Sequence, residues 1–251
     1  NASPIAPILM ANGSTTICED QSVQLHTSNA SGNIWFRNGV VITGVTGSSY
    51  RANSSGTYTV ESSNAAGCVS GTSQPVVVTV NALPVVAAIN GISTICEGAN
   101  AQLSNSATGG VWSSSNNSII RIDGSGMIQG VAPGSATISY SVVNASGCTT
   151  TVTKLITVTA LPSKPTITAN GATSFCLPGT VVLNSSAVNG NQWYRDGVLI
   201  AGANSISFEA TRTGTYSLVV TQNGCSSAES DVISVTGNAT PAAPILKAKG
   251  S

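Results

Sequence analysis

Charge is scarce in this sequence of 251 residues: Lys and Arg number nine, Asp and Glu nine, together 7% of the chain, and the formal net charge is zero. Soluble domains ordinarily carry about a quarter charged residues. Without a basic surplus nothing neutralises a phosphate backbone, so nucleic acid is excluded as a partner. No block of Lys or Arg is present to hold an anionic membrane surface. Apolar runs are short as well. Pro75–Val80 and Pro84–Ile89 fall far below the roughly 20 residues that cross a bilayer, so no direct membrane insertion is expected in this segment. The chain opens without a charged stretch followed by an apolar one, and the reading is of a mature piece whose export signal lies elsewhere.

Catalytic side chains are equally thin. The single histidine, His26, falls out of phase with Val23 and Leu25, which puts it on an exposed face with no motif-spaced Ser or Cys. The carboxylates are scattered; Glu19-Asp20 is an adjacent pair near a turn, which solvation explains. No Asp-rich calcium loop and no CxxC zinc spacing occurs. The chain is therefore read as no enzyme, with no metal and no cofactor.

What is abundant is strand-forming and turn-forming material. Hydrophobic residues reach 41%, rich in Val and Ile, against a polar background of Ser, Thr, Asn and Gly. These are arranged in a repeat. The cysteines at 18, 68, 96, 148, 176 and 225 are spaced by 50, 28, 52, 28 and 49 residues. Each first cysteine precedes a tryptophan (Cys18 and Trp35, Cys96 and Trp112, Cys176 and Trp193), and each unit closes on a Gly-Cys pair: Gly67-Cys68, Gly147-Cys148, Gly224-Cys225. Three copies of one unit account for this. The first and third copies align closely, Gly32-Asn-Ile-Trp-Phe-Arg-Asn-Gly-Val-Val-Ile42 with Gly190-Asn-Gln-Trp-Tyr-Arg-Asp-Gly-Val-Leu-Ile200, whereas the middle copy diverges at Val111-Trp-Ser-Ser-Ser115 and Gly134-Ser-Ala-Thr-Ile138.

Pro-bearing linkers at Asn81–Pro84 and Ala160–Pro162 mark the junctions and limit bending, so an elongated array is expected. Three domains are assigned, at 1–82, 83–161 and 162–240. Asn238–Ser251 repeats Asn1–Ser14 at ten of fourteen positions, and 241–251 is read as the opening strand of a further, truncated repeat. Within the first unit, Ser22-Val-Gln-Leu-His-Thr27 alternates as a half-buried strand with Val23 and Leu25 inward. The Asn38-Gly39 turn follows the strand that bears Trp35, and Tyr58 shares a face with Val60. Short strands with frequent turns make each unit an all-β sandwich of about seven strands.

The first and third units resemble the immunoglobulin-like domains of Bacteroidetes-type surface and secreted proteins. The resemblance rests on the early Cys, the Trp193-Tyr-Arg-Asp-Gly197 strand, the Gly-Thr-Tyr strand and the terminal Gly-Cys. The middle unit resembles the bacterial group 2 immunoglobulin-like domain through Trp112-Ser-Ser-Ser-Asn116, Ile122-Asp-Gly124 and Gly134-Ser-Ala-Thr-Ile138. The resemblance implies three tandem immunoglobulin-like β-sandwiches and says little of function, because a fold is a scaffold. In antibody-type domains a disulfide joins the two sheets through the middle strands, positions that here look like Thr27 and Val60. Cys18 lies earlier and Cys68 later, shifts that should separate the two. Six cysteines allow fifteen pairings. Because both cysteines recur in every unit, the pairs Cys18–Cys68, Cys96–Cys148 and Cys176–Cys225 are expected, which requires the first strand edge to fold back. Such bonds need an oxidising compartment, and an extracellular location follows, at a cell surface or secreted.

Trp35, Trp112 and Trp193 recur at fixed places in the unit and are assigned to the core with Tyr58 and Tyr216. Phe36 and Tyr194 alternate with the tryptophans and so point outward; with Tyr50 they are the candidate glycan contacts. The function expected is a non-catalytic stalk or adhesin segment of a large bacterial repeat protein. The alternative is a spacer or carbohydrate-binding accessory region of a secreted polysaccharide-degrading enzyme. The expected partners are surface polysaccharide or other repeats of the same protein.

Overall fold

A computed structural model describes residues 2–241. Every regular element among them is a β-strand. By packing, the chain divides into two compact units. One comprises the chain up to Asn90 with Ser104–Trp112 and Ser139–Thr153; the other comprises Gly91–Leu103, Ser113–Ile138 and the chain from Lys154. Apart from Pro241, the segment read as a truncated opening strand lies outside the described residues.

In the first repeat two sheets form. Leu9–Asn12, Val23–Thr27 and Ser49–Ala52 make one, in that order. The other orders Thr16–Cys18, Val76–Asn81, Gly56–Ser62, Asn33–Arg37 and Val40–Val41. The alternation read from the sequence is the reason. Val23, Leu25 and Thr27 are buried and His26 is exposed, because successive side chains of a strand point to opposite faces. Leu9, Ile17, Val23, Leu25, Trp35, Ala52, Tyr58, Val60 and Val78 form the core between the sheets. The pairing is antiparallel throughout, except that Thr16–Cys18 runs parallel to Val76–Asn81, with Cys18 opposite Asn81.

The third repeat has the same plan: Ile167–Asn170, Val181–Ser185 and Ser207–Ala210 in one sheet, and Ser174–Cys176, Ile233–Asn238, Gly214–Gln222, Asn191–Arg195 and Val198–Leu199 in the other. Here too the first-cysteine strand is parallel to the last strand, with Cys176 opposite Asn238. The middle repeat is leaner. It pairs Asn100–Gln102, Met127–Gly130 and Ile120–Ile122 in one sheet; the second orders Val111–Ser114, Gly134–Val143, Thr149–Thr159 and Thr94–Cys96.

Two glycine-dependent features explain why the first and third repeats read so alike. The hairpins at Asn38-Gly39 and Asp196-Gly197 place both central residues at positive φ, near 50° and 75°, the I′ geometry that matches strand twist. One strand earlier, Gly32 has φ 71° and a Cβ there would lie 2.5 Å from the Ser63 carbonyl oxygen; Gly190 repeats the situation against Thr221. Ser63 N–H and Thr221 N–H donate to these two glycine carbonyls at 2.8 and 2.9 Å, strand-end hydrogen bonds that hold the two backbones at this close approach.

Candidate functional site

The side chains selected from the sequence sort into an aromatic core, two covalent links and a set of half-exposed rings. Trp35 and Trp193 are wholly buried, and so are Tyr58 and Tyr216 to within 2%. Each indole N–H donates to a loop carbonyl, Trp35 to Gly47 at 3.0 Å and Trp193 to Ser205 at 2.9 Å, which meets the need of a buried polar handle. Tyr58 hydroxyl donates to the Ser54 carbonyl at 2.8 Å, and Tyr216 to that of Arg212 at 2.9 Å. A tyrosine bonding back four residues, at the corner leading into its strand, is the tyrosine corner of immunoglobulin-type sandwiches. Burial, with Tyr50 adding to it, raises the Tyr58 hydroxyl above its ordinary value of 10.0.

Tyr50 departs from its expected role. It is half-buried and sits between Trp35 and Tyr58, with ring centroids 5.7 Å from each. Its third-repeat counterpart is Phe208, 5.8 Å from Trp193 and 5.7 Å from Tyr216. The ring is part of the core stack, and the sequence carries its signal: Ser49-Tyr50-Arg51-Ala52 and Ser207-Phe208-Glu209-Ala210 stand at the same distance before Gly56-Thr57-Tyr58 and Gly214-Thr215-Tyr216. Trp112 also departs. It is only half-buried, near the exposed edge of its sheet, and rests on Tyr140 at 4.5 Å. Tyr140 is the buried ring there; its hydroxyl donates to the Ala107 carbonyl at 2.7 Å and accepts from Gly110 N–H at 3.0 Å.

Phe36 and Tyr194 are half-buried on the face opposite the tryptophans. Tyr194 borders an open hollow with Gln192, Asn204, Thr221 and Ser226, about 470 Å³ in volume. Shallow clefts of about 400 and 460 Å³ recur beside the short edge strands. Val198, Leu199 and Phe208 line the third-repeat cleft, and Val40, Val41 and Tyr50 the one in the first. Among the described residues no group of three or more His, Cys, Asp or Glu could hold a metal ion. The carboxylates with shifted acidity serve turns. Asp196 is held below its ordinary 3.8 by the backbone N–H of Thr215, then by the Thr215 hydroxyl, with Arg195 adding. Asp123 is lowered by the Ser125 hydroxyl and then by backbone N–H groups, chiefly that of Met127.

The disulfides overturn the expected pairing. Cys18 is bonded to Cys148 and Cys96 to Cys225, each pair with Cα atoms 5.7 Å apart. The within-repeat pairs Cys18–Cys68, Cys96–Cys148 and Cys176–Cys225 do not form. The reason is strand direction. Cys18 is level with Asn81, at the end of the sandwich where Gly56–Ser62 begins. Cys68 follows the far end of that strand. Seven residues at about 3.3 Å each separate the two ends by roughly 20 Å, and a disulfide needs Cα atoms within about 7 Å. The first cysteine of a repeat instead faces the junction with the next repeat and meets its Gly-Cys turn.

The first junction is built around that turn. Asn144 Oδ1 accepts from Ser146 N–H and Cys148 N–H, both at 3.0 Å, while its Nδ2 donates to the Ala82 carbonyl at 2.8 Å. Glu19 Oε2 accepts from Leu83 N–H at 3.3 Å. Thus the Glu19-Asp20 pair is divided in purpose: Glu19 secures the linker. Cys176 is exposed and takes part in neither disulfide.

The family profile described as "Ig-like domain CHU_C associated" matches residues 4–81, which lie within the first repeat. The two-sheet plan and tyrosine corner of that repeat recur in the third. The chain carries tandem immunoglobulin-like domains. Among solved structures, the N-terminal four Ig domains of Dscam1 isoform 6.9 align over 95% of this chain and 74% of theirs, at 12% identity and a TM-score of 0.25. The N-terminal eight Ig domains of Down Syndrome Cell Adhesion Molecule isoform 1.30.30 align over 94% of this chain and 40% of theirs, at 13% identity and a TM-score of 0.28. No curated protein matches the chain. Disulfides form and persist in oxidising compartments, and the two here suit an immunoglobulin-like module of extracellular type, a fold that is typically non-catalytic.

Proposed function

We propose that this chain is a non-catalytic stalk or adhesin segment of a large repeat protein, displayed at a bacterial surface or secreted. The observation that carries the reading is the pair of disulfides joining successive immunoglobulin-like repeats. A domain that acts alone gains nothing from a covalent bond to its neighbour; a spacer that must hold each junction does. The low charge and the shallow clefts support the same reading, since neither concentrates a substrate. Many weak contacts along such an array add through multivalency, and surface polysaccharide or sister repeats are the partners that polar, weakly charged faces suit.

The test is an in-frame deletion of this segment from the gene in its own host. Loss of cell attachment with polysaccharide hydrolysis unchanged is the expected result. Unchanged attachment with reduced hydrolysis would overturn it in favour of an accessory region of a degrading enzyme.

A further inference from the structure

The position that Cys18 and Cys96 occupy exists a third time. In every repeat the first-cysteine strand runs parallel to the last strand and ends level with its last residue: Cys18 with Asn81, Cys96 with Thr159, Cys176 with Asn238. In every repeat the residue after the cysteine donates its N–H to that same carbonyl: Glu19 to Asn81 at 3.0 Å, Glu97 to Thr159 at 2.9 Å, Leu177 to Asn238 at 2.8 Å. Strand, register and hydrogen bond coincide. Two of the three sulfurs are bonded to the Gly-Cys cysteine of the following repeat, 130 and 129 residues on. The third, on Cys176, is exposed.

The receiving half is a built turn too. Asn64 makes the same bonds around Cys68 that Asn144 makes around Cys148. Its Oδ1 accepts from Ala66 N–H at 3.1 Å and Cys68 N–H at 3.0 Å, and its Nδ2 donates to the Ala2 carbonyl at 3.1 Å. The first repeat therefore presents the receiving turn with its bond to the entering chain, as the middle repeat does at Ala82.

We propose that Cys176 is the outgoing half of a third link of this kind, its partner the thiol of a Gly-Cys turn in a further immunoglobulin-like repeat joined after Asn238. The sequence agrees: Asn238-Ala239 stands where Asn81-Ala82 stands at the first junction, and Asn238–Ser251 restates Asn1–Ser14. The inference rests on repeat geometry and holds whether or not the array is adhesive. Chemically, two thiols lose two protons and two electrons and one S–S bond forms. The oxidant is a small disulfide, reduced to two thiols: one thiolate attacks it to give a mixed disulfide, and the second thiolate displaces the remaining thiol.

The test extends the full chain at Asn238 with a second copy of residues 82–159, which recreates the Asn81-Ala82 junction. The copy carries Cys96→Ser, so that it brings one thiol, and Ser146→Thr as a mass marker. After oxidation with glutathione disulfide and digestion without reduction, the Cys176 peptide is expected joined to the marked Gly-Cys peptide, with alkylation of Cys176 at least tenfold below that in the unextended chain. A second extension, using residues 160–238 with Cys176→Ser and Ser226→Thr, guards against misfolding of the first. Cys176 joined to the marked peptide in either extension supports the proposal. Cys176 as alkylatable in both as in the unextended chain, or joined to any other cysteine, overturns it. Because adhesion is not read, this result stands apart from the deletion experiment.

Discussion

In the first and third repeats a tryptophan lies wholly buried beneath two further rings, whereas in the middle repeat Trp112 is half-exposed on the single ring of Tyr140. The same sequence landmark thus serves two packing schemes. Where Asn-Gly or Asp-Gly hairpins attach an edge strand beyond the tryptophan strand, the indole is covered and faces a full sandwich. In the middle repeat the tryptophan strand, Val111–Ser114, is itself the edge of its sheet. Its indole keeps an exposed side, and the buried aromatic role passes to Tyr140. A tryptophan's place in a repeat therefore does not decide its burial; the strand outside it does.

The covalent links should dominate any ranking of substitutions. Replacing Cys18 and Cys148 together by serine opens a loop of 130 residues, for which the chain-entropy model expects up to about 5 kcal/mol. Cys176→Ser should cost less than about 0.5 kcal/mol in the same chain, as surface changes usually do. Urea unfolding of the two variants checks the contrast, and equal costs would break it.

Next comes the aromatic difference itself. Trp35→Ala and Trp193→Ala should each cost about 3–5 kcal/mol, the range for emptying a buried indole site. Trp112→Ala should cost less than half as much, because much of the ring is already in water. Thermal unfolding monitored by circular dichroism separates these. The tyrosines invert the order. Tyr140→Phe removes one hydrogen bond as donor and one as acceptor, and leaves Gly110 N–H without its hydroxyl partner, so about 2 kcal/mol is expected. Tyr58→Phe removes its bond to the carbonyl of Ser54 and should cost about 1 kcal/mol.

The smallest effect distinguishes the first repeat from the third. Asn38 Oδ1 and Asp196 Oδ1 accept from Thr57 N–H and Thr215 N–H, both at 2.8 Å. Only the second is ionisable. Because the folded state lowers the Asp196 pKa below its ordinary 3.8, its contribution is complete above that value and is lost as pH falls through the lower, folded value. Asp196→Asn should flatten the acid side of the third repeat's stability curve and leave the first repeat's unchanged, which amide exchange across an acid series would resolve. The nearby half-buried Arg195, 3.8 Å away, adds little to this, since ion pairs open to solvent are weak.

The strand alternation was legible because it reflects a local rule. Val23, Leu25, Trp35, Tyr58 and Val60 announced their burial by period and by the repeat. Tyr50 lies on a strand too short to show a period, and only its alignment with Phe208 in Ser207-Phe208-Glu209-Ala210 marks it as a recurring ring. The disulfide pairing is hidden in the sequence for a different reason. When a unit recurs every eighty or so residues, a bond within the unit and a bond shifted by one unit use the same landmarks, and recurrence cannot tell them apart. The direction of the intervening strand can, and it points away from Cys18–Cys68. The shallow clefts were not legible, because they form beside two-residue edge strands that are too short to show a period.

The overlap of the two bonded loops, 18–148 and 96–225, has a mechanical meaning. If the ends were pulled apart until every strand gave way, tension would travel from Asn1 to Cys18, jump to Cys148, return along the backbone to Cys96 and jump again to Cys225. The segment between Cys18 and Cys96 would never be stretched. An oxidised chain should therefore lengthen by far less than its residue count allows, and adding a reductant should release the hidden length.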